Sequence, residues 1–72
     1  MMLRGNERFV EVEGTLEKRT SRGILLETEL GRGWIGRSCL GYATDVAVDT
    51  MRIGEKGRFR VMKWVAEKNG LI

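Results

Sequence analysis

The 72-residue chain has no histidine, no proline and one cysteine, Cys39. Without imidazole there is no Ser–His or Cys–His pair and no histidine metal ligand. A single thiol builds neither an internal disulfide nor a thiolate zinc site, and Cys39 reads as a small, half-buried apolar residue. No apolar run approaches the roughly 20 residues that span a bilayer. The opening residues, MMLRGNERF, lack the apolar core of a signal peptide. A cytoplasmic location is therefore the expectation, with no membrane, no metal and no cofactor. Nucleotide motifs are also wanting. The Walker pattern is absent, and although Gly31 to Gly36 has the spacing G-x-G-x-x-G, it lies between two expected strands and opens no helix, the context a dinucleotide site requires. Glu11 and Glu13 are the one carboxylate pair suited to acid–base work. They alternate with apolar residues and read as a solvated strand face. The chain is not expected to be an enzyme.

What the chain has in quantity is glycine, ten residues, with 42% hydrophobic residues overall. That apolar content suits a folded domain rather than a disordered chain. The length allows one domain, residues 1–72, which buries only about 60% of the surface its unfolded chain exposes. Many glycines between short apolar stretches are the composition of a small β barrel. Residues 1–7 alternate nowhere and are expected to fray.

The stretch Gly23 to Leu40 reads as a hairpin. Ile24, Leu26 and Thr28 share one face of an extended chain, and Leu25, Glu27 and Glu29 the other. Leu30-Gly31-Arg32-Gly33 is the expected turn. On the return strand Trp34, Gly36, Ser38 and Leu40 oppose Ile35, Arg37 and Cys39. Only the second set carries a charge, which predicts Trp34 inward and Ile35 outward. Ahead of the hairpin, Arg8 to Arg19 is the clearest strand, with Val10, Val12, Gly14 and Leu16 facing inward and a bend expected at Gly14. After it, Asp45 to Asp49 is expected to be a short strand with Val46 and Val48 inward. Gly54 to Gly57 reads as a turn, and Arg58 to Met62 as the last strand with Phe59 and Val61 inward. Lys63 to Asn69 is a short helix, identified by its ending. Gly70 stands where a left-handed residue belongs, Leu71 follows to pack back, and Lys68 occupies the last turn. So short a helix must dock, and Trp64 with Val65 is the expected anchor. The elements add up to a mostly β domain, a five-stranded SH3-like or OB-like barrel with a short C-terminal helix.

The runs W-I-G-R-S at Trp34 to Ser38 and K-W-V-A-E-K-N-G-L at Lys63 to Leu71 resemble a group of small, uncharacterised bacterial and phage proteins. In that group a strand reads W-(I/L)-P-K-S and the chain closes on W-x-A-x-K-x-G-L. This chain departs from the pattern with Gly36 for proline and Arg37 for lysine. The resemblance implies a small β barrel and brings no activity with it.

Charge carries the functional content. There are 13 Lys and Arg against 10 Asp and Glu, a net charge of +3. Acid concentrates in Glu7 to Glu17 and base in Met51 to Lys63. If the first and last strands pair, Glu11 and Glu13 meet Arg58 and Arg60 as ion pairs. The remaining basic loop residues, Lys18, Arg19, Arg22, Arg32 and Arg37, are candidate nucleic-acid contacts, since small barrels often bind strands with basic loops and exposed rings. Phe9 and Tyr42 are the rings expected to be exposed. The favoured reading is a non-enzymatic module for protein–protein interaction, with an unknown protein or a second copy as partner. Its expected interface is an apolar patch of Leu25 and Ile35 on the outer face of the hairpin, beside an open sheet edge. Low-affinity nucleic-acid binding is the alternative.

Overall fold

A computed structural model describes residues 8–72, and the expectation for residues 1–7 lies outside them. Four strands form one antiparallel sheet: β1 (Phe9–Arg19), β2 (Gly23–Thr28), β3 (Gly31–Gly36) and β4 (Lys56–Met62). Their order across the sheet is β3-β2-β1-β4. Between β3 and β4 lie a 3-10 turn (Arg37–Cys39) and helix α1 (Tyr42–Ala47), and helix α2 (Lys63–Lys68) follows β4 directly. The domain is thus mostly β, an open sheet with short helices. The expected fifth strand, Asp45 to Asp49, is a correction, because α1 occupies most of it. Side chains four residues apart share a face in either structure, but they lie about 5–6 Å apart in a helix and about 13 Å apart in a strand, so only a helix lets one group reach both. Asp45 and Asp49 are such a pair, since one guanidinium holds both.

Alternation in β1 and β4 follows the sequence pattern. Val12, Leu16, Phe59 and Val61 are buried, and Val12 stands opposite Phe59, Val10 opposite Val61. On the other face Glu11 lies opposite Arg60 and Glu13 opposite Arg58. The Arg58 Nε to Glu13 Oε2 distance is 3.3 Å. Ile24, Leu26, Ile35, Leu40, Val48, Val65, Ala66 and Leu71 complete the core. Leu40 forms a lone bridge with Val61 beyond the outer edge of β4. The chain leaving β3 therefore curls round to the far side of the sheet and lays α1 beneath it.

The hairpin corrects the expected facing of two residues, Trp34 and Ile35. Its turn is Thr28 to Gly31, ahead of the expected site, and β2 and β3 pair Leu25 with Trp34 and Ile24 with Ile35. Ile35 is 0% exposed and Trp34 49% exposed, so the expected outward patch of Leu25 and Ile35 is instead Leu25 and Trp34. Two causes are visible. Arg37 lies past the end of the strand, so its charge carries no information about the strand's faces. Gly33, inward beside Ile35, leaves space for the end of α2: a Cβ there would meet the Asn69 side chain at 2.7 Å. The structure also exposes Val46, which was expected inward.

Both loops flanking β2 obey one rule that sequence reading missed, Thr-x-x-Gly. In Thr20-Ser21-Arg22-Gly23 the threonine Oγ1 accepts from the amides of Arg22 and Gly23 and donates to the Gly23 carbonyl. In Thr28-Glu29-Leu30-Gly31 the same three bonds recur at Leu30 and Gly31. A hydroxyl that folds back on its own turn replaces water at backbone groups the tight turn leaves unpaired.

The irregularity in β1 falls at Glu17 rather than Gly14. Leu16 pairs with Leu26 and Lys18 with Leu25, leaving Glu17 as an extra residue. Past this bulge the two faces exchange. Lys18 joins the outer face, and Arg19, opposite Ile24, joins the side the core occupies.

α2 ends as expected. Gly70 has φ 70°, its amide donates to Glu67 O, and the Leu71 amide donates to Ala66 O at 2.8 Å, the paired bonds of a Schellman motif. Leu71 is buried, so the ending docks the helix. Val65, Ala66 and Leu71 do the anchoring; Trp64, expected in that role, is 58% exposed. Replacing Phe59 by Ala should therefore cost about 3–5 kcal/mol, enough to unfold much of a chain this size. Trp64→Ala should cost less than about 1 kcal/mol. Urea titrations of both variants test this assignment of the core, and a Trp64→Ala loss comparable to that of Phe59→Ala would contradict it.

Candidate functional site

Arg37 stands at the centre of the polar architecture. Its side chain is 18% exposed. Nε donates to Asp45 Oδ1 at 2.6 Å, and Nη2 donates to Asp49 Oδ1 at 2.9 Å and to the Asp45 carbonyl at 3.0 Å. Nη1 reaches the Thr20 carbonyl at 3.2 Å. One planar fork thus ties the 3-10 turn, α1 and the β1–β2 turn together. Bonding to Asp45 first, then Asp49, raises its pKa above the ordinary guanidinium value. Arg19, turned inward by the bulge, donates to the carbonyls of Val48 at 3.0 Å and Met51 at 2.7 Å, just past the C-terminal end of α1. A cation there satisfies carbonyls that the helix leaves open.

The five basic residues marked by the sequence are thus divided. Arg19 and Arg37 bind α1. Arg32 lies on the outer face with Nη1 2.9 Å from Glu17 Oε1. Lys18 lies on that face opposite Leu25, and Arg22 is exposed in the β1–β2 turn. Lys18, Leu25 and Trp34 form a row across three strands.

Behind that row is a carboxyl pair. Hydrogen bonding with Glu17, and then its negative charge, holds the Glu27 carboxyl above the ordinary carboxylate value. Glu17 is held below it, first by the hydrogen bond from Glu27 and then by Arg32 against a desolvation penalty. Glu17 is the extra residue of the bulge, on the strand adjacent to Glu27.

Of the rings expected to be exposed, Tyr42 is 84% exposed. Phe9 is half-buried, with the Arg60 guanidinium 5.4 Å from its centroid. Cys39 is partly buried against the core. Two indoles expected in the interior, Trp34 by strand phase and Trp64 as the anchor of the last helix, are the largest surface rings. Trp34 sits on the outer face of β3. Trp64 lines a hollow of about 490 Å³ with Arg8, Met62, Lys63 and Glu67, and Lys68 Nζ lies 5.9 Å from its ring centroid. Glu11 and Glu13 line a broader, open hollow with Lys56 and Arg58, where the cross-strand ion pairing fills it with solvated, opposed charges. Among the described residues no three metal-ligating side chains gather, and no helix is long and apolar enough to cross a membrane. No family model, curated protein or solved structure matches the chain.

Two outcomes follow from these contacts. Arg37→Ala should cost about 2–3 kcal/mol, since charged hydrogen bonds contribute roughly 1.5–3 kcal/mol each and exposure of Asp49 discounts its share. Arg37→Lys should recover less than half, because an ammonium cannot span three acceptors in a plane. Denaturant titration of the two variants measures both. Glu27→Gln should raise the melting temperature at pH 7. A carboxyl whose folded pKa is raised opposes folding above that pKa and ceases to do so as pH falls through it. The advantage of the variant should therefore vanish below about pH 4. Glu17, with a lowered folded pKa, supplies stability above its unfolded pKa that is lost as pH falls further. Melts at the two pH values separate the two carboxyls.

Proposed function

We propose that the chain is a non-enzymatic protein-interaction module whose contact surface is the outer face of the β2–β3 hairpin and the edge of β3. The observation that carries this reading is the Trp34–Leu25 pair. Trp34 is a half-exposed indole on an edge strand, with β2 on one side and no strand beyond it among the described residues. An edge strand offers unpaired amides and carbonyls in sequence-independent register, and an adjacent ring supplies apolar area. Tryptophan is the residue type most enriched at the energetic centres of protein interfaces. The partner adds a strand alongside β3, and a second copy of the chain is the simplest such partner. The curl that brings Leu40 to the far edge of β4 supports describing the module as a partly closed small barrel of the SH3-like or OB-like kind, with β3 as its open seam.

A second reading has its own support. Lys18, Arg22 and Arg32 remain on the hairpin surface near an exposed ring, the minimum for weak contact with a nucleic-acid strand. Arg19 and Arg37 are already committed to α1, which leaves fewer cations for it than the sequence promised.

Sedimentation equilibrium across a wide concentration range tests the favoured reading. The mass should rise towards a dimer, the β3 amides should gain protection from hydrogen exchange as it does, and Trp34→Ala should return a folded monomer. A cross-strand pair contributes only about 0.2–1 kcal/mol, so the variant keeps its fold. A mass that stays monomeric at millimolar concentration would exclude self-pairing and leave a foreign protein as the partner. Concentration-dependent association unchanged by Trp34→Ala would place the interface elsewhere.

A further inference from the structure

The hollow beside Trp64 lies where β4 passes into α2, next to the start of β1, and the hairpin reading does not use it. α2 buries Val65 and Ala66 and turns Trp64 outward. The fold therefore does not need this indole. Around it the charge among the described residues is one-sided, with Arg8 and Lys63 lining the hollow and Lys68 Nζ standing 5.9 Å from the ring centroid, against the single anion Glu67. Met62 forms the apolar floor and stands opposite Phe9 on β1. The Phe9 ring in turn carries Arg60. The surface thus runs from one ring to a second, with a cation at each.

We infer that this hollow binds single-stranded nucleic acid, with a base stacked on Trp64 and the flanking phosphates held by Arg8, Lys63 and Lys68. Each part of the arrangement has a counterpart in such a ligand. An exposed indole offers a flat face to any base, and stacking of this kind is indifferent to sequence. Cations on both sides of the ring match a backbone that carries one charge per nucleotide. The Glu67 carboxylate accepts hydrogen bonds and suits the amino edge of a base rather than a phosphate. Lys68 Nζ rests over the ring by cation–π attraction, so an incoming base takes its place on that face and the displaced amine stays within reach of the flanking phosphate. A duplex, whose bases are stacked on one another, offers the indole nothing, so the site selects strands.

The test uses the full chain with Trp34→Phe, which leaves Trp64 as the sole fluorescent indole. A short mixed-sequence single-stranded DNA is titrated at low salt. Saturable quenching is expected, with a log–log salt slope of about −2 for three phosphate contacts, so that a fourfold rise in salt weakens binding by about tenfold to twentyfold. Lys63→Gln and Lys68→Gln should each make the slope shallower by about 0.7. Trp64→Ala in the otherwise unaltered chain, checked for an unchanged melt, should weaken binding by about tenfold or more, followed by NMR shifts of amides in Met62 to Lys68. Inorganic triphosphate, which has charge but no base, should compete poorly. Absence of saturable binding at low salt would overturn the inference. So would equal affinity in Trp64→Ala, competition by triphosphate at the same concentration as the strand, or a duplex of the same sequence binding as tightly. Because the reporter lacks Trp34, failure here leaves the hairpin interface standing, and failure of self-association leaves this site standing.

Discussion

The Arg37 fork is the contact on which the rest of the arrangement depends. An open four-stranded sheet has one apolar face to cover, and among the described residues two α-helices of six residues each are there to cover it. Neither is stable by itself. α2 is held by burial of Val65, Ala66 and Leu71. α1 has no such anchor, since none of its own residues is buried and only Val48, at its C-cap, enters the core. Its position is set by polar contacts. Arg37 grips its acidic face, Arg19 its C-terminal end, and the Thr44 hydroxyl accepts from the Arg60 amide at 2.9 Å. Most of the cover over the far end of the core is thus attached by hydrogen bonds that are worth little in water and more where solvent is partly excluded.

This explains why the candidate nucleic-acid residues were misleading as a group. A count of arginines between strands does not distinguish those that meet solvent from those that close helix ends. Acid spaced four apart, at Asp45 and Asp49, was the available sign that Arg37 had an internal partner. It went unread because the same stretch also alternates like a strand. The strands β1, up to its bulge, and β4 were legible in their facing, including the opposition of Glu11 and Glu13 to Arg60 and Arg58, because each has a long apolar phase with charge on the other face. β3 was not, because three of its six residues are glycine and glycine has no preference of face. Trp34 and Ile35 are its only large apolar side chains; Arg32, which shares the face of Trp34, was assigned to the turn and so did not count towards the phase, and Asn69 packs at Gly33 on the inner face. Trp64 was misplaced for a related reason: the helix docks through small and branched residues, which give closer contact with the sheet than an indole would.

The two indoles consequently sit where the fold has least use for them, one on the outer face of β3 and one on α2. Trp34 adjoins unpaired backbone and a leucine, while Trp64 adjoins lysine and arginine. The same side chain is framed by different chemistry at each place.

The extra residue at Glu17 can be considered as arithmetic on the chain. Strand alternation is a parity, and one inserted residue inverts it for everything that follows until the turn. Here the inversion selects which of two adjacent cations, Lys18 or Arg19, faces α1 and which faces solvent. Removing Glu17 itself would leave Leu16 inward, Lys18 outward and Arg19 inward along an unbroken ladder, whereas keeping Glu17 and straightening the strand would turn Lys18 towards the helix end and Arg19 outward. The bulge is therefore what lets β1 carry one residue more than its ladder needs while Arg19 keeps its contacts with Val48 and Met51.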